Sequence, residues 1–212
     1  MPASPPTSRL VIGLLGGIAA GKSTVSGVLK KLGPGRVVDA DALARVALDA
    51  CAKDGRLVAA LGAWAVNKAG VPDRKAIAAK VFGDPTALRA LERITHPAVT
   101  ASIEEAVNDH RLGKGDPVLV LDVPLLLEVG LDRRCDALWF VAAPDEARFA
   151  RAKDRLGLSR DDVERRESAQ SPLDRKRARA DFVIENAGAQ EALAAQVEAG
   201  LVQLGWRPPA RR

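Results

Sequence analysis

Two glycines, a lysine and a serine near the start of the chain have the spacing of a phosphate-binding loop. Gly16 and Gly21 are separated by four residues, and Lys22 and Ser23 follow directly. Small residues allow the backbone to wrap closely around a phosphate group, so that its amides converge on the oxygens. Lys22 can then reach the β- and γ-phosphates of a nucleoside triphosphate, and the Ser23 hydroxyl can bind Mg²⁺. This motif, a P-loop, therefore predicts a site for a nucleoside triphosphate with Mg²⁺.

Strands and helices in alternation must position this loop. An apolar run at 10–15 predicts a strand that leads into it, and the residues from Lys22 onward predict an amphipathic helix whose N-terminal dipole faces the phosphates. Four more short apolar runs predict strands, and a final amphipathic helix is expected at 190–204; the strand ranges are 36–39, 118–123, 137–142 and 182–184. The pattern predicts an α/β fold with a five-stranded parallel sheet flanked by helices.

Polar residues follow three of the other strands at the point where each strand ends. Asp39 and Asp41 end the second strand, Asp122 the third and Asn186 the fifth. Ligands of open parallel sheets bind beyond the carboxyl ends of the strands. We therefore expect these side chains to share one site with the P-loop.

The length of the chain, 212 residues, is sufficient for one compact domain. We expect that domain at 9–206, between flexible tails at 1–8 and 207–212. The Ala-rich, helical stretch at about 45–112 is too long for a single crossover helix, and it predicts a helical subdomain. The charged helical stretch at about 145–180 predicts a lid.

The positive charge of the chain is concentrated in that last stretch. The net charge is +5, and between Arg151 and Arg179 ten Lys or Arg residues face six Asp or Glu residues, a surplus of four. Gly157 and Pro172 should divide this segment into separate helices. A nucleic-acid surface is one interpretation, but a surface that meets a polyphosphate fits the P-loop better.

The sequence favours a cytoplasmic location. The first eight residues lack the apolar core of a signal peptide, and no apolar run approaches the roughly 20 residues that a membrane-spanning helix needs. Cys51 and Cys135 are far apart and lack metal-ligand spacing, which predicts free thiols in a reducing compartment. We expect no nucleic-acid or membrane partner; the oligomeric state stays open, a monomer included.

Other residues decide between the classes of P-loop protein. A GTPase needs Asn-Lys-x-Asp late in the chain, whereas Asn67-Lys68-Ala69-Gly70 ends in glycine and precedes the third strand, so we expect a turn there. The chain is short for a motor or AAA-type ATPase. The arginine-rich stretch after the fourth strand is typical of small-molecule kinases, whose lid closes arginines over the transferred phosphoryl group.

Further motifs run through the chain in a fixed order: Gly16-Gly17-Ile18-x-x-Gly21-Lys22-Ser23-Thr24, Asp39-Ala40-Asp41, Arg74 before Val81-Phe82, Thr95-His96-Pro97, Asp122-x-Pro124-Leu125-Leu126-x-Glu128, Arg151-x-x-x-Arg155 leading to Gln170, and Ala180-Asp181-x-Val183-Ile184-x-Asn186-x-Gly188. The resemblance of this ordered set to the bacterial dephospho-CoA kinase family covers about residues 9–204. It implies a P-loop kinase fold in which the helical subdomain binds the acceptor. The implied reaction is the phosphorylation of the ribose 3′-hydroxyl of dephospho-CoA by ATP and Mg²⁺, the last step of coenzyme A biosynthesis.

The resemblance also implies a role for each site residue. Asp39 would be the general base or orienting acceptor beside the 3′-hydroxyl, with Lys22 and Arg155 as the catalytic cations. The residues implied for ATP binding are Gly17, Ala19, Ala20, Gly21, Lys22, Ser23, Thr24, Arg151, Asn186 and Gly188. Those implied for the acceptor are Asp39, Arg74, His96, Pro124 and Leu125, and those for Mg²⁺ are Ser23 and Asp122.

For several of these residues the sequence also allows a purely structural role. Asp39 and Asp41 are both candidates for the N-cap of the following helix, and our interpretation gives the cap to Asp41. Asp122 could cap a strand-end turn instead of holding Mg²⁺. Arg151 and Arg155 share a helix face, where a run of charges is commonly only solvated.

The P-loop departs from the usual pattern of the family, Thr-Gly-Gly-Ile-Gly-Ser-Gly-Lys-Ser, at three positions. Leu15 replaces the Thr and thereby removes a hydroxyl, and Ala19 and Ala20 replace Gly-Ser. Alanine disfavours the positive φ that glycine adopts freely, so a left-handed backbone is not expected at Ala19. Because Gly21, Lys22 and Ser23 are unchanged, we expect these three replacements to alter the affinity of the loop for its ligand and to leave the activity intact. Elsewhere, His110 is expected at the surface, and Trp64, Trp139 and Trp206 are expected to pack.

Two other functions compete with this interpretation. The P-loop, the strand-end acid and the lid alone would permit a kinase for another small acceptor, such as a nucleoside monophosphate. A non-catalytic nucleotide switch or a nucleic-acid-binding P-loop protein would instead show GTP preference or strongly salt-dependent RNA binding.

Overall fold

The computed structural model describes residues 9–32, 35–188 and 190–206. The tails expected at 1–8 and 207–212 lie outside these residues. The described chain forms two compact units. One comprises the chain up to Val38 together with the chain from Val107 onward, and the other comprises Asp39–Ala106.

A five-stranded parallel sheet forms the centre of the first unit, as the sequence predicts. Its strands stand in the order β2-β3-β1-β4-β5 and are β1 (Leu10–Gly16), β2 (Gly35–Asp39), β3 (Val118–Asp122), β4 (Ala137–Ala142) and β5 (Phe182–Glu185). In the parallel register, Leu10 pairs with Val118, Ile12 with Ala137 and Trp139 with Phe182. The observed strand ends differ from the predicted ones by one residue or less.

Strand β1 is buried along its whole length because helices cover both faces of the sheet. A Cβ at Gly13 would lie 2.6 Å from Leu126 and 2.8 Å from Cys135, so this position needs glycine. The core on one face includes Trp139, whose ring lies 5.6 Å from that of Phe182. Trp139 and Trp206 are buried, as expected, whereas Trp64 is 39% exposed.

Helices occupy most of the remaining described chain. They are α1 (Lys22–Lys31), α2 (Ala40–Lys53), α3 (Arg56–Leu61), α4 (Arg74–Gly83), α5 (Pro85–Arg111), α6 (Asp145–Leu156), α7 (Arg160–Ser168), α8 (Leu173–Ala178) and α9 (Gln190–Gln203). The charged segment is divided as the sequence predicts. Gly157, at φ 65°, ends α6, and Pro172 precedes α8. No helix in the described ranges combines the length and the apolar composition that crossing a bilayer requires.

The second unit is helical and has a small core of its own. Cys51, Leu57, Ala65 and Ile77 are buried together. The sequence Asn67–Gly70 forms the expected turn, since the Asn67 side chain accepts hydrogen bonds from the backbone amides two and four residues later.

His110, expected at the surface, is instead buried near the end of α5, with 2% of its surface exposed. Its Nε2 atom has no hydrogen-bond partner within the described chain. Desolvation lowers the pKa of His110, and repulsion from Arg9 and Arg111 acts in the same direction. The charged sequence around His110 misled the prediction, because the ring turns toward β1 while its neighbours remain in solvent.

Candidate active site

The P-loop follows β1, and its glycines supply the backbone conformations that the turn requires. Gly16 has φ 146° and Gly21 has φ 100°, and Gly21 is the N-cap of α1. A Cβ at Gly21 would lie 2.0 Å from the side-chain nitrogen of Asn186. Position 21 therefore excludes a side chain both by its φ and by its neighbour.

Ala19 adopts φ 57°, the only positive φ of a non-glycine residue in the described chain. The expectation that alanine avoids this conformation here is wrong. A left-handed backbone costs about 1–2 kcal/mol for a residue with a Cβ. The surrounding contacts must impose this conformation, because Ala19 itself does not favour it.

Lys22 starts α1 and folds back over the loop. Its Nζ donates hydrogen bonds to the carbonyl oxygens of Gly16 and Gly17, at 3.2 and 3.0 Å. Desolvation lowers the pKa of Lys22, and the nearby Asp122 carboxylate opposes this shift. The ammonium group is thus held at the loop by backbone oxygens, in a partly desolvated environment where its attraction to an anion is strong.

Arg151 and Asn186, both predicted to bind ATP, contact each other and the P-loop. The Asn186 side-chain amide donates to the carbonyl oxygen of Ala20 at 2.7 Å. Arg151 donates to the Asn186 carbonyl oxygen at 3.1 Å and approaches the Ala20 carbonyl oxygen at 3.5 Å. Helix α6 and the end of β5 therefore both contact the P-loop at Ala20.

Arg148 and Glu167 hold the loop at Ile18, and the sequence indicated neither of them. Arg148, on α6, is 3% exposed, and its Nε donates to the Ile18 carbonyl oxygen at 3.2 Å. Glu167, on α7, accepts a hydrogen bond of 2.7 Å from the Ile18 amide. The two side chains form an ion pair with each other, and Arg148 also pairs with Asp145 at 2.7 Å.

A buried lysine, Lys176, also lies in this region. It lies on α8 with 2% of its surface exposed, and its Nζ donates to Gln170 Oε1 at 2.7 Å. Desolvation lowers the pKa of Lys176, and Glu128 and Glu167 oppose the shift. Repulsion from Lys176 contributes to the lowered pKa of Lys22. Positive charges on α6 and α8 thus lower the pKa of Lys22 on α1, and neighbouring carboxylates oppose this shift.

The predicted Mg²⁺ residues suit that ion by their chemistry. In the part of the chain that the structure describes, no three His, Cys, Asp or Glu side chains are grouped closely enough to hold a metal ion. Mg²⁺ commonly takes one or two protein oxygens and completes its shell with phosphate oxygens and water. Asp122 is half-buried at the end of β3, close enough to Lys22 to affect its pKa, and Ser23 is exposed in the first turn of α1. A carboxylate and a hydroxyl are the donors such a site needs.

Asp39, not Asp41, is the N-cap of α2. Its Oδ1 accepts hydrogen bonds from the amides of Asp41 and Ala42, at 2.9 and 3.2 Å. The assignment of the cap to Asp41 is therefore wrong, because the strand ends one residue before the helix begins and Asp39 occupies the junction. Both hydrogen bonds of the cap go to Oδ1. They fix the orientation of the exposed carboxylate, and Oδ2 takes no part in the cap.

The other predicted acceptor residues lie in different surroundings. Arg74, at the start of α4, forms an ion pair with Asp49 of α2, in which its Nη2 donates to both carboxylate oxygens, at 2.7 and 2.9 Å. His96 lies on α5 beside an open cavity of about 700 Å³, lined by Arg89, Glu92, Arg93, His96, Pro97, Thr100, Ala101 and Glu104. Pro124 and Leu125 follow β3, Pro124 exposed and Leu125 partly buried. Their contacts with an acceptor stay a prediction.

Comparison with known proteins identifies the family. A sequence model of dephospho-CoA kinase matches residues 10–191. A dephospho-CoA kinase from Anaeromyxobacter dehalogenans is 46% identical over 198 residues, which are 92% of each chain. The chain belongs to the dephospho-CoA kinase family.

Solved structures resemble this dephospho-CoA kinase family member in fold. A Thermus thermophilus protein described as TT1252 is 39% identical with a TM-score of 0.76, and the match covers 93% of this chain and 99% of that one. The dephospho-CoA kinase from Campylobacter jejuni is 23% identical with a TM-score of 0.64, over 92% and 96% of the two chains. This second likeness concerns the fold alone.

Three arginines on α6 of this family member show what sequence spacing could not decide. Arg151 contacts the P-loop at Ala20, and Arg148 contacts it at Ile18, one turn earlier on the helix. Arg155 is exposed and makes no hydrogen bond or ion pair with any described residue, so its catalytic role stays a prediction. Arg148 lies three residues before Arg151 on the same helix face, a weak signal that does not by itself single it out. Glu167 gave none, since it lies in a run of charges.

Proposed function

We propose that this protein transfers the γ-phosphoryl group of ATP to the ribose 3′-hydroxyl of dephospho-CoA, giving coenzyme A and ADP. The observation that carries the proposal is the P-loop, with Lys22 folded over it and Arg151 against it, in a chain that belongs to the dephospho-CoA kinase family. The residues that follow the P-loop supply the remaining parts of a phosphoryl-transfer site.

The nucleotide side of the site acts mainly by position and charge. The amides from Ala19 to Thr24 would surround the β- and γ-phosphates, and the positive end of the α1 dipole points the same way. Lys22 would exchange its carbonyl partners for phosphate oxygens. Because charge spreads over the transferred group in a loose transition state, fixed cations at this point lower the barrier.

Residues that fit Mg²⁺ flank the same loop. Ser23 and Asp122 would hold it, directly or through water, and the bound ion would neutralise charge on the β- and γ-phosphates. Asp122 has a second effect that needs no metal, because its negative charge favours the protonated form of Lys22. Asp122 thus opposes the loss of positive charge that the desolvation of Lys22 favours.

The acceptor side depends on Asp39. Its Oδ1 is held by the helix cap, so Oδ2 has one preferred direction and can accept the proton of a substrate hydroxyl. A hydroxyl bonded in this way is oriented for attack and loses its proton to the carboxylate as the bond to phosphorus forms. Arg74 and His96, which belong to the same helical unit, would contact other parts of the acceptor.

The proposed compartment is the cytoplasm. Cys51 and Cys135 form no disulfide, which suits a reducing environment. Burial among carboxylates raises the pKa of Cys135 to about 12, so its thiol stays protonated and unreactive.

One assay tests the proposed reaction. Release of ADP from ATP and Mg²⁺ is measured with dephospho-CoA, AMP, UMP or shikimate as the acceptor. We expect release that depends on dephospho-CoA, and a product that carries its new phosphate on the ribose 3′-oxygen. Equal turnover with AMP, or none with dephospho-CoA, contradicts the proposed acceptor.

A further inference from the structure

The ion pair between Arg148 and Glu167 holds both backbone polar atoms of a single P-loop residue. The Ile18 carbonyl oxygen accepts from Arg148 Nε at 3.2 Å, and the Ile18 amide donates to Glu167 Oε1 at 2.7 Å. The two side chains come from α6 and α7, more than a hundred residues further along the chain. Ile18 lies directly before the strained Ala19.

The ion pair between Arg148 and Glu167 is mostly buried. The side chain of Arg148 is 4% exposed and that of Glu167 is 18% exposed. Removing such charges from water is costly, and apolar side chains of similar size commonly stabilise a fold as well or better. Stability alone therefore gives little reason for a charged pair here, whereas charged side chains are well suited to hold backbone N–H and C=O groups at fixed positions.

Packing around the pair leaves the loop little freedom. A Cβ at Gly17 would lie 2.6 Å from the Arg148 guanidinium, so the guanidinium lies directly against the loop backbone. Arg148 and Arg151 are three residues apart on α6 and contact Ile18 and Ala20, on the two sides of Ala19. Contacts on both sides explain how Ala19 is kept at φ 57° against its own preference.

We propose that Arg148 and Glu167 are positioning residues for the phosphate-binding amides of the P-loop. They hold Ile18 so that the following residues present their N–H groups to the nucleotide without further rearrangement. A loop arranged in advance binds phosphate more tightly than one that must first be ordered. This inference rests on the proposed function only in that the P-loop binds a nucleotide; it does not depend on the acceptor.

The decisive variant is Glu167→Gln, which keeps an oxygen for the Ile18 amide but removes the charge beside Arg148. The dissociation constant of ADP with Mg²⁺ is measured well below the melting temperature, together with KM for ATP and for dephospho-CoA. We expect both nucleotide constants to rise about tenfold, as the weakening of a charged hydrogen bond implies. The KM for dephospho-CoA should stay within about twofold, because the acceptor does not depend on these amides.

A double variant and a control complete the test. Arg148→Gln combined with Glu167→Gln removes both charges and leaves neutral amides, so ADP binding should lie between that of the wild type and that of Glu167→Gln. Glu164→Gln, also on α7, breaks an exposed pair with Arg160 and should change no nucleotide constant.

The inference fails if Glu167→Gln is folded and binds ADP within about twofold of the wild type, even if its melting temperature falls. If Glu167→Gln does not fold, the double variant decides. ADP binding at least about threefold weaker than in the wild type supports the inference, and binding within twofold overturns it. Wild-type protein that binds ADP but does not phosphorylate dephospho-CoA refutes the proposed function and leaves this test intact.

Discussion

The side-chain amide of Asn186 donates a hydrogen bond of 2.7 Å to the carbonyl oxygen of Ala20, 166 residues earlier in the chain. The contact passes so close to Gly21 that a Cβ there would lie 2.0 Å from the Asn186 nitrogen. The end of β5 and the P-loop therefore depend on each other, and this dependence leads to the first prediction.

Gly21→Ala should impair both stability and nucleotide binding. A side chain at φ 100° costs about 1–2 kcal/mol, and displacement of Asn186 breaks its bond to Ala20 at a cost of about 1 kcal/mol. We expect a loss of about 2–3 kcal/mol in the free energy of unfolding, measured by denaturant titration, and a rise of at least about tenfold in KM for ATP.

Gly27→Ala is the matched control for this substitution. Gly27 lies inside α1, and a Cβ there would meet no described atom within 4 Å beyond its own turn of helix. The variant should gain about 0.5–1 kcal/mol of stability, because alanine favours a helix more than glycine does. Equal effects of the two substitutions would contradict the geometry described for Gly21.

Ala19→Gly and Ala20→Gly should differ in their effect on stability. At Ala19 glycine removes the strain of φ 57°, which offsets its greater freedom in the unfolded chain, so the free energy of unfolding should be unchanged or higher by up to about 1 kcal/mol. Ala20 has no positive φ and is 1% exposed, so glycine there should cost about 1 kcal/mol or more. Denaturant titration of both variants measures the difference. Destabilisation of the same size at both positions would mean that Ala19 is not strained.

Asp39→Asn should separate catalysis from helix capping. Asparagine caps helices about as well as aspartate, so the free energy of unfolding should change by less than about 0.5 kcal/mol. It cannot accept the proton of the 3′-hydroxyl, so kcat should fall by a factor of about 10²–10⁴ with KM for ATP nearly unchanged. Steady-state kinetics with dephospho-CoA measures both constants.

Asp73→Asn provides the corresponding cap control. Asp73 caps α4 through the amide of Ala76 at 2.9 Å, so the same chemical change occurs at another helix start. We expect its kcat to match that of the wild type. Near-normal turnover in Asp39→Asn would show that the carboxylate serves only as a cap.

His110 should make the stability of the protein depend on pH. Burial lowers its pKa below the ordinary value of 6.5, so the folded protein keeps the ring neutral while the unfolded chain takes up a proton below about pH 6.5. The stability contributed by the neutral ring is therefore fully present above that pH, and it is lost as the pH falls from there through the lower pKa of the folded state. Arg9, Arg111 and Asp136 surround the ring, and the two arginines outweigh the carboxylate.

Denaturant titration between about pH 8 and pH 5 measures this effect. The free energy of unfolding should fall over that range in the wild type and fall less in His110→Gln. A wild-type slope that persists in His110→Gln would show that other groups cause the pH dependence.

Local sequence was sufficient to predict the strands and the P-loop. Short apolar runs predicted the five strands, because a strand covered on both faces must be apolar throughout. The spacing of Gly16, Gly21 and Lys22 predicted the P-loop, because its conformation depends on φ values that glycine supplies within the motif itself. Asn67 likewise forms its turn through bonds to its own neighbours.

The tertiary structure decided which charged side chains act on that loop. Arg148, Arg151 and Arg155 are the same residue type on one helix, yet the first is buried against Ile18 and the last is exposed. Glu167 and Lys176 look like solvated charges in sequence, and His110 looks like a surface residue. Their surroundings are set by partners on other elements of the fold, which helical periodicity does not encode. Sequence therefore determined where phosphate would bind, and packing between distant elements determined which side chains hold that site in shape.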